Sequence, residues 1–199
     1  MQNKEDQAVG CLVIDDPRLG ENALSGLFSG KVQTYPFDWG AGEAPLPSLQ
    51  SLLQSARREC GEAAILARGL GCGAALALSE QLPVERLALI DPAPALAFRW
   101  KESPRSRKVR RLNAYARRNL SLCVAEALVV EGEAAGGFRR LSEGAPQARP
   151  VRLALRGESG EKLYTFCENR LKTAITHFLR GEEWRKELAE NEEMCIIYG

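Results

Sequence analysis

Residues 64–76 read Ala-Ile-Leu-Ala-Arg-Gly-Leu-Gly-Cys-Gly-Ala-Ala-Leu. An apolar strand, Ala64–Ala67, runs into glycines at alternate positions, Gly69, Gly71 and Gly73, and a small-residue helix follows from Ala74. A sharp strand-to-helix bend can hold a reactive side chain clear of a sheet. Acyl transfer at such a bend needs a hydroxyl or thiol, a base touching it, a carboxylate orienting the base, and donors for the oxyanion. The middle of the triplet is Gly71, which has no side chain to attack with. Cys72 stands beside it, near the positive end of a helix dipole that favours a thiolate. A shift of one residue turns that side chain away from the apex, so Cys72 reads as a packing cysteine first and a nucleophile second. His177 is the only imidazole. It lies inside the helical run Leu171–Arg180 beside Phe178, and reads as a structural histidine.

Other chemistries find less support. Three glycines before a helix expose N–H groups to an anion, yet the triplet lacks the spacing of G-x-G-x-x-G and the lysine of a phosphate-binding loop. No nucleotide or other cofactor is expected. The six cysteines, Cys11, Cys60, Cys72, Cys123, Cys167 and Cys195, contain no C-x-x-C pair, so they read as reduced buried thiols rather than a metal set. A single histidine rules out a His-rich site.

The elements that must position the bend follow from periodicity. Cys11–Ile14, Val32–Phe37, Ala63–Ala67, Arg86–Ile90, Ala127–Glu131 and Val151–Leu155 read as strands. Asn22–Phe28, Leu49–Cys60 (with Ser48 as its cap), Ala74–Gln81, Val109–Leu120 and Lys162–Arg180 read as helices. The tail Glu182–Glu193 reads as acidic and helical, closing on the apolar Met194–Tyr198, which should dock on a sheet edge. Strands alternating with helices imply a three-layer α/β sandwich around a mostly parallel sheet of about six strands. At 199 residues with 45% apolar and 27% charged content, the chain suits one soluble domain, 1–199. No run is apolar enough for a membrane span. Met1–Gly10 lacks the apolar core of a secretory leader, so a cytoplasmic protein is expected.

The landmarks in order resemble α/β-hydrolases. The glycine triplet is similar to their G-x-S-x-G bend. Tyr35-Pro-Phe-Asp38-Trp39-Gly40-Ala-Gly42-Glu43 resembles a D-x-x-G-x-G-x-S loop. Leu128-Val-Val-Glu131-Gly132-Glu133 resembles the strand that delivers the catalytic acid, and Val151–Gly157 the last strand, before the catalytic histidine. The first two strands and the large lid of the family are missing. The resemblance implies that fold, trimmed. It also implies that Gly71 replaces the nucleophile, that Ala134 and Ala135 stand where the aspartate belongs, and that no base follows the last strand. Asp15-Asp16 stands where the family has His-Gly beside the oxyanion hole, and a carboxylate there repels a developing oxyanion.

The expectation is therefore a non-catalytic protein with a binding or regulatory role. Its vestigial pocket would comprise Asp15, Trp39, Gly69, Leu70, Gly71, Cys72, Gly73 and Asp91. One alternative is an esterase-like or thioesterase-like hydrolase, or an acyltransferase, working through Cys72 with His177 and Glu133 (or Glu131). Another is an interaction module. The segment 99–122, which by the resemblance would be a remnant of the family's lid, is strongly basic, and Arg105, Arg107, Lys108, Arg110 and Arg111 would suit an acidic partner. The bland reading of that run is a solvated helix neutralised by the acidic tail. A net charge of +1 and few interleaved aromatics argue against nucleic acid. A small ligand, a protein partner and a dimer stay open.

Overall fold

The computed structural model describes residues 8–16, 24, 28, 32–40, 44–92, 124–132, 151–155, 168–187 and 194–198. Among these, the chain runs β1 (Val9–Ile14), β2 (Val32–Pro36), α1 (Pro45–Cys60), β3 (Ala63–Arg68), α2 (Gly71–Ser79), β4 (Val84–Ile90), β5 (Val124–Gly132), β6 (Val151–Leu155), α3 (Glu168–Arg180), a 3-10 turn (Arg185–Glu187) and β7 (Met194–Tyr198). The strands form one sheet in the order β2-β1-β3-β4-β5-β6-β7. All neighbours are parallel except β6 and β7, which pair antiparallel from Val151↔Tyr198 to Leu155↔Met194. The sheet thus holds the six expected strands. The apolar tail adds a seventh, docking on the chain's own sheet edge.

Central strands covered on both faces have no polar side to show to water. β1 and β3 are accordingly buried at every position. Alternation along each strand divides the core into two layers. Leu12, Ile14, Ile65, Leu87 and Leu89 pack with α1 and α2 on one face. Cys11, Val13, Leu66, Ile90 and Val130 pack with Leu171, Ile175 and Phe178 of α3 on the other.

The helices begin and end where local chemistry allows. α1 starts four residues before the expected Leu49, because Pro45 lacks only an N–H that the first turn cannot use. Ala44, not Ser48, is the cap, and the Ser48 hydroxyl donates back to the Ala44 carbonyl at 3.1 Å. Leu49, Leu53, Ala56 and Cys60 form its buried stripe. α2 is buried at all nine positions, which explains its uniformly small, apolar composition. Of the expected helix over Glu182–Glu193, the described part holds a short 3-10 turn at Arg185–Glu187 rather than an α-helix, and 188–193 lie outside the described residues. The expected segments 22–28 (apart from Leu24 and Phe28) and 109–120 lie outside the described residues.

Cys11 sits in this core with no exposed surface. Burial pushes its thiol up from 9.0 to about 12, against a weaker opposing contact with the Leu66 backbone. The folded state therefore keeps a proton that the unfolded chain releases above about pH 9. Stability from this group is intact below pH 9 and falls as pH rises from there through 12. Urea titrations should show Cys11→Ala losing less stability than the wild type between pH 8 and 10. The difference should be about 1 kcal/mol.

Candidate functional site

The chain leaves β1 for β2 on one side and returns through α1 to β3 on the other, then steps onward through β4, β5 and β6. Such a reversal of direction separates the connections at the carboxyl ends of adjacent strands, where ligand crevices form in open α/β sheets. Here the two ends are Asp15-Asp16 after β1 and Arg68-Gly69, the last residue of β3 and the first beyond it.

The bend after β3 is tighter and earlier than its sequence suggests. Gly69 carries the left-handed backbone, φ +57°. Its N–H donates to the Ile90 carbonyl at 2.9 Å, which pins the turn to β4. Leu70 caps α2, and Gly71 is already its first residue. The apex is therefore Gly69, not Gly71, and the helix starts three residues before Ala74. Gly71 serves a different purpose. A Cβ there would overlap the Ile14 carbonyl oxygen and stand 3.1 Å from that of Asp15. Only glycine lets the start of α2 lie directly on the end of β1.

At Gly69 a Cβ would overlap the Asp16 carboxylate and stand 2.9 Å from its Cγ. Asp16 is 1% exposed, and its Oδ2 accepts the Leu70 N–H at 3.0 Å. Asp15 turns the other way. Its Oδ1 and Oδ2 accept Arg68 Nε at 2.7 Å and Nη2 at 2.9 Å, a two-pronged pair buried on both sides. Oδ1 also accepts the Asp16 N–H at 2.8 Å, and Oδ2 the Leu24 N–H at 3.2 Å. Trp39 donates its indole N–H to the Asp15 carbonyl at 2.9 Å and packs edge-on against Phe37. The two acids thus clamp the ends of β1 and β3 and the chain around Trp39.

No protein-family model matches this sequence, and no curated protein matches it either. Among solved structures, the chain is similar to a monoacylglycerol lipase of Paleococcus ferrophilus, at 15% identity and a TM-score of 0.64, over 87% of this chain and 95% of that one. The fold is that of the α/β-hydrolases. In the G-x-S-x-G bend of that fold, the serine takes the sharp turn and the following N–H serves the oxyanion. On this backbone the sharp turn falls at Gly69, within Ala67-Arg68-Gly69-Leu70-Gly71, and the N–H of the following Leu70 is held by Asp16.

Cys72 and Gly73 lie in the first turn of α2, both buried. The Cys72 thiol faces the Ile90 carbonyl at 3.7 Å. Burial pushes that thiol well above its ordinary range, and the Asp91 and Asp16 carboxylates push it further against the opposing Ile90 contact. The helix dipole is thus outweighed by desolvation. Asp91 follows β4 in a left-handed conformation, φ 43°, with its N–H on the Val130 carbonyl at 2.7 Å. His177 belongs to α3, whose core lies on the opposite face of the sheet from that of Cys72. The structure does not bring the two together. Glu131 is buried at the end of β5. Glu133, the basic set Arg105 to Arg111 and residues 41–43 of the loop after β2 lie outside the described residues. In that loop Asp38 turns the chain by accepting the Gly40 N–H at 2.6 Å. Among the described residues no group of three His, Cys, Asp or Glu side chains could hold a metal ion, and no helix is long and apolar enough to cross a membrane.

Sequence reasoning set Asp15-Asp16 beside the expected oxyanion hole but missed Arg68. Arg68 was detectable: a lone guanidinium ending an otherwise apolar buried strand must find a carboxylate across the sheet.

Arg68→Met leaves Asp15 buried without its cation and should cost about 3–5 kcal/mol in chemical denaturation. The two glycines should separate cleanly. Gly69→Ala meets a side-chain end, so its destabilisation should shrink by at least about 1 kcal/mol in an Asp16→Gly background. Gly71→Ala meets backbone and should gain nothing from the same change.

Proposed function

We propose that this protein is a non-catalytic member of the α/β-hydrolase fold, retained for binding or regulation. The observation that carries this reading is the Asp16 carboxylate, hydrogen-bonded to the Leu70 amide over a bend whose apex, Gly69, has no side chain. A hydrolase needs the opposite arrangement, a reactive group on the apex and free donors beside it. A carboxylate anchored on the donor repels the negative charge that ester cleavage generates, and in a buried site the repulsion is large. The buried, high-titrating Cys72 thiol also supports the reading. Within it, the run Arg105–Arg111 is the stretch of sequence whose positive charge suits an acidic partner.

The likeness to a lipase makes ester cleavage the activity to test. Purified protein should show no concentration-dependent turnover of short p-nitrophenyl esters, an acyl thioester or a monoacylglycerol emulsion. It should also resist a fluorophosphonate probe. Turnover that persists in Cys72→Ala and His177→Ala would overturn the proposal, whereas turnover abolished by Cys72→Ala would replace it with thiol catalysis.

A further inference from the structure

The end of α3 closes with Gly181 in the left-handed region, φ +71°. The Gly181 N–H donates to the Phe178 carbonyl at 3.0 Å and the Glu182 N–H to the His177 carbonyl at 2.8 Å. This is the Schellman arrangement, which brings together the side chains of the two residues it links, usually as an apolar contact. Here those residues are His177 and Glu182. Imidazole Nε2 lies 3.7 Å from Glu182 Oε2, and Nδ1 lies 3.6 Å from Glu187 Oε1. Nδ1 is buried and makes no hydrogen bond among the described residues.

A neutral imidazole carries one N–H, so it must turn a bare lone pair toward one of these two carboxylates. Only the imidazolium offers a donor to each. We propose that His177 is a protonation-dependent latch. Its charged form ties Glu182 and Glu187 to the end of α3, and its neutral form loosens the 182–187 turn. The surroundings define the balance. The helix terminus contributes negative partial charge. Arg180 on the same helix pairs with Glu182. From β4, Arg86 donates to the Leu179 carbonyl at 2.9 Å and pairs with Glu62 at 3.5 Å. Of the remaining charges in the turn, Glu183 accepts the Arg185 N–H, the Arg185 guanidinium stacks over Trp184 at 5.0 Å, and Lys186 is exposed. Trp184 itself is buried edge-on against Phe178, so the turn keeps an apolar anchor in both states. The latch acts on the chain leading to β7, and stands apart from the bend after β3.

Hydrogen exchange of the 181–187 amides, corrected for intrinsic rates, tests this on the intact chain. Protection should be about two- to fivefold greater at pH 5.5 than at pH 8.5. His177→Gln should abolish that difference. Glu182→Gln combined with Glu187→Gln should abolish it too while leaving the imidazole in place. Protection that does not change with pH in the wild type, or that changes equally in the variants, would overturn the proposal.

Discussion

The end of β1 and the start of α2 touch backbone to backbone, and much of the molecule's character follows from that contact. Gly71 lies directly on the Ile14 carbonyl, where a methyl group would not fit. The approach draws the Leu70 amide within reach of the strand end and leaves one residue, Gly69, to complete the turn with a left-handed backbone. Space that a side chain could occupy at the apex is filled by Asp16. Close packing of this kind is nearly incompressible, so a larger residue at either glycine requires a neighbour to move.

The two consecutive acids after β1 divide the work. Side chains alternate across a strand, so neighbours in sequence address opposite faces. Asp15 reaches Arg68 beside the α3 layer, while Asp16 turns to the amide that opens α2. Burying a guanidinium and a carboxylate costs desolvation on both. The pair is tolerable because its geometry is two-pronged and further N–H groups, from Asp16 and Leu24, satisfy the same carboxylate. Such a network specifies one arrangement of the two strand ends. Asp16, by contrast, holds a carboxylate on the Leu70 amide, where an α/β-hydrolase would need positive potential, and this is the physical basis for proposing a non-catalytic role.

Further from the bend, the fold uses ordinary devices. Parallel central strands are apolar on both faces, and α2 is buried all round. At the α3 terminus a histidine and two glutamates replace the apolar contact usual in that motif. There the cation of the cluster is an imidazole, whereas Asp15 is partnered by a guanidinium, which stays charged.

The fold class was legible in the chain because burial leaves a periodic trace. The six parallel strands and the described helices α1, α2 and α3 were marked by apolar runs, many of them bounded by Asp, Gly or Pro. The glycine triplet announced a sharp turn, and the apolar tail announced a docked strand. Local pattern could not decide which glycine forms the apex. Gly69, Gly71 and Gly73 are equivalent as residues, and only the approach of β1 separates the one that turns the chain from the one that receives another backbone. The pairing of Asp15 with Arg68, 53 positions away, is likewise absent from any local spacing. The placement of Cys72 and His177 in opposite layers follows from the order of the strands. Sequence period sets what is buried; which buried groups meet depends on how the strands line up across the sheet, and that is settled only when the chain is folded.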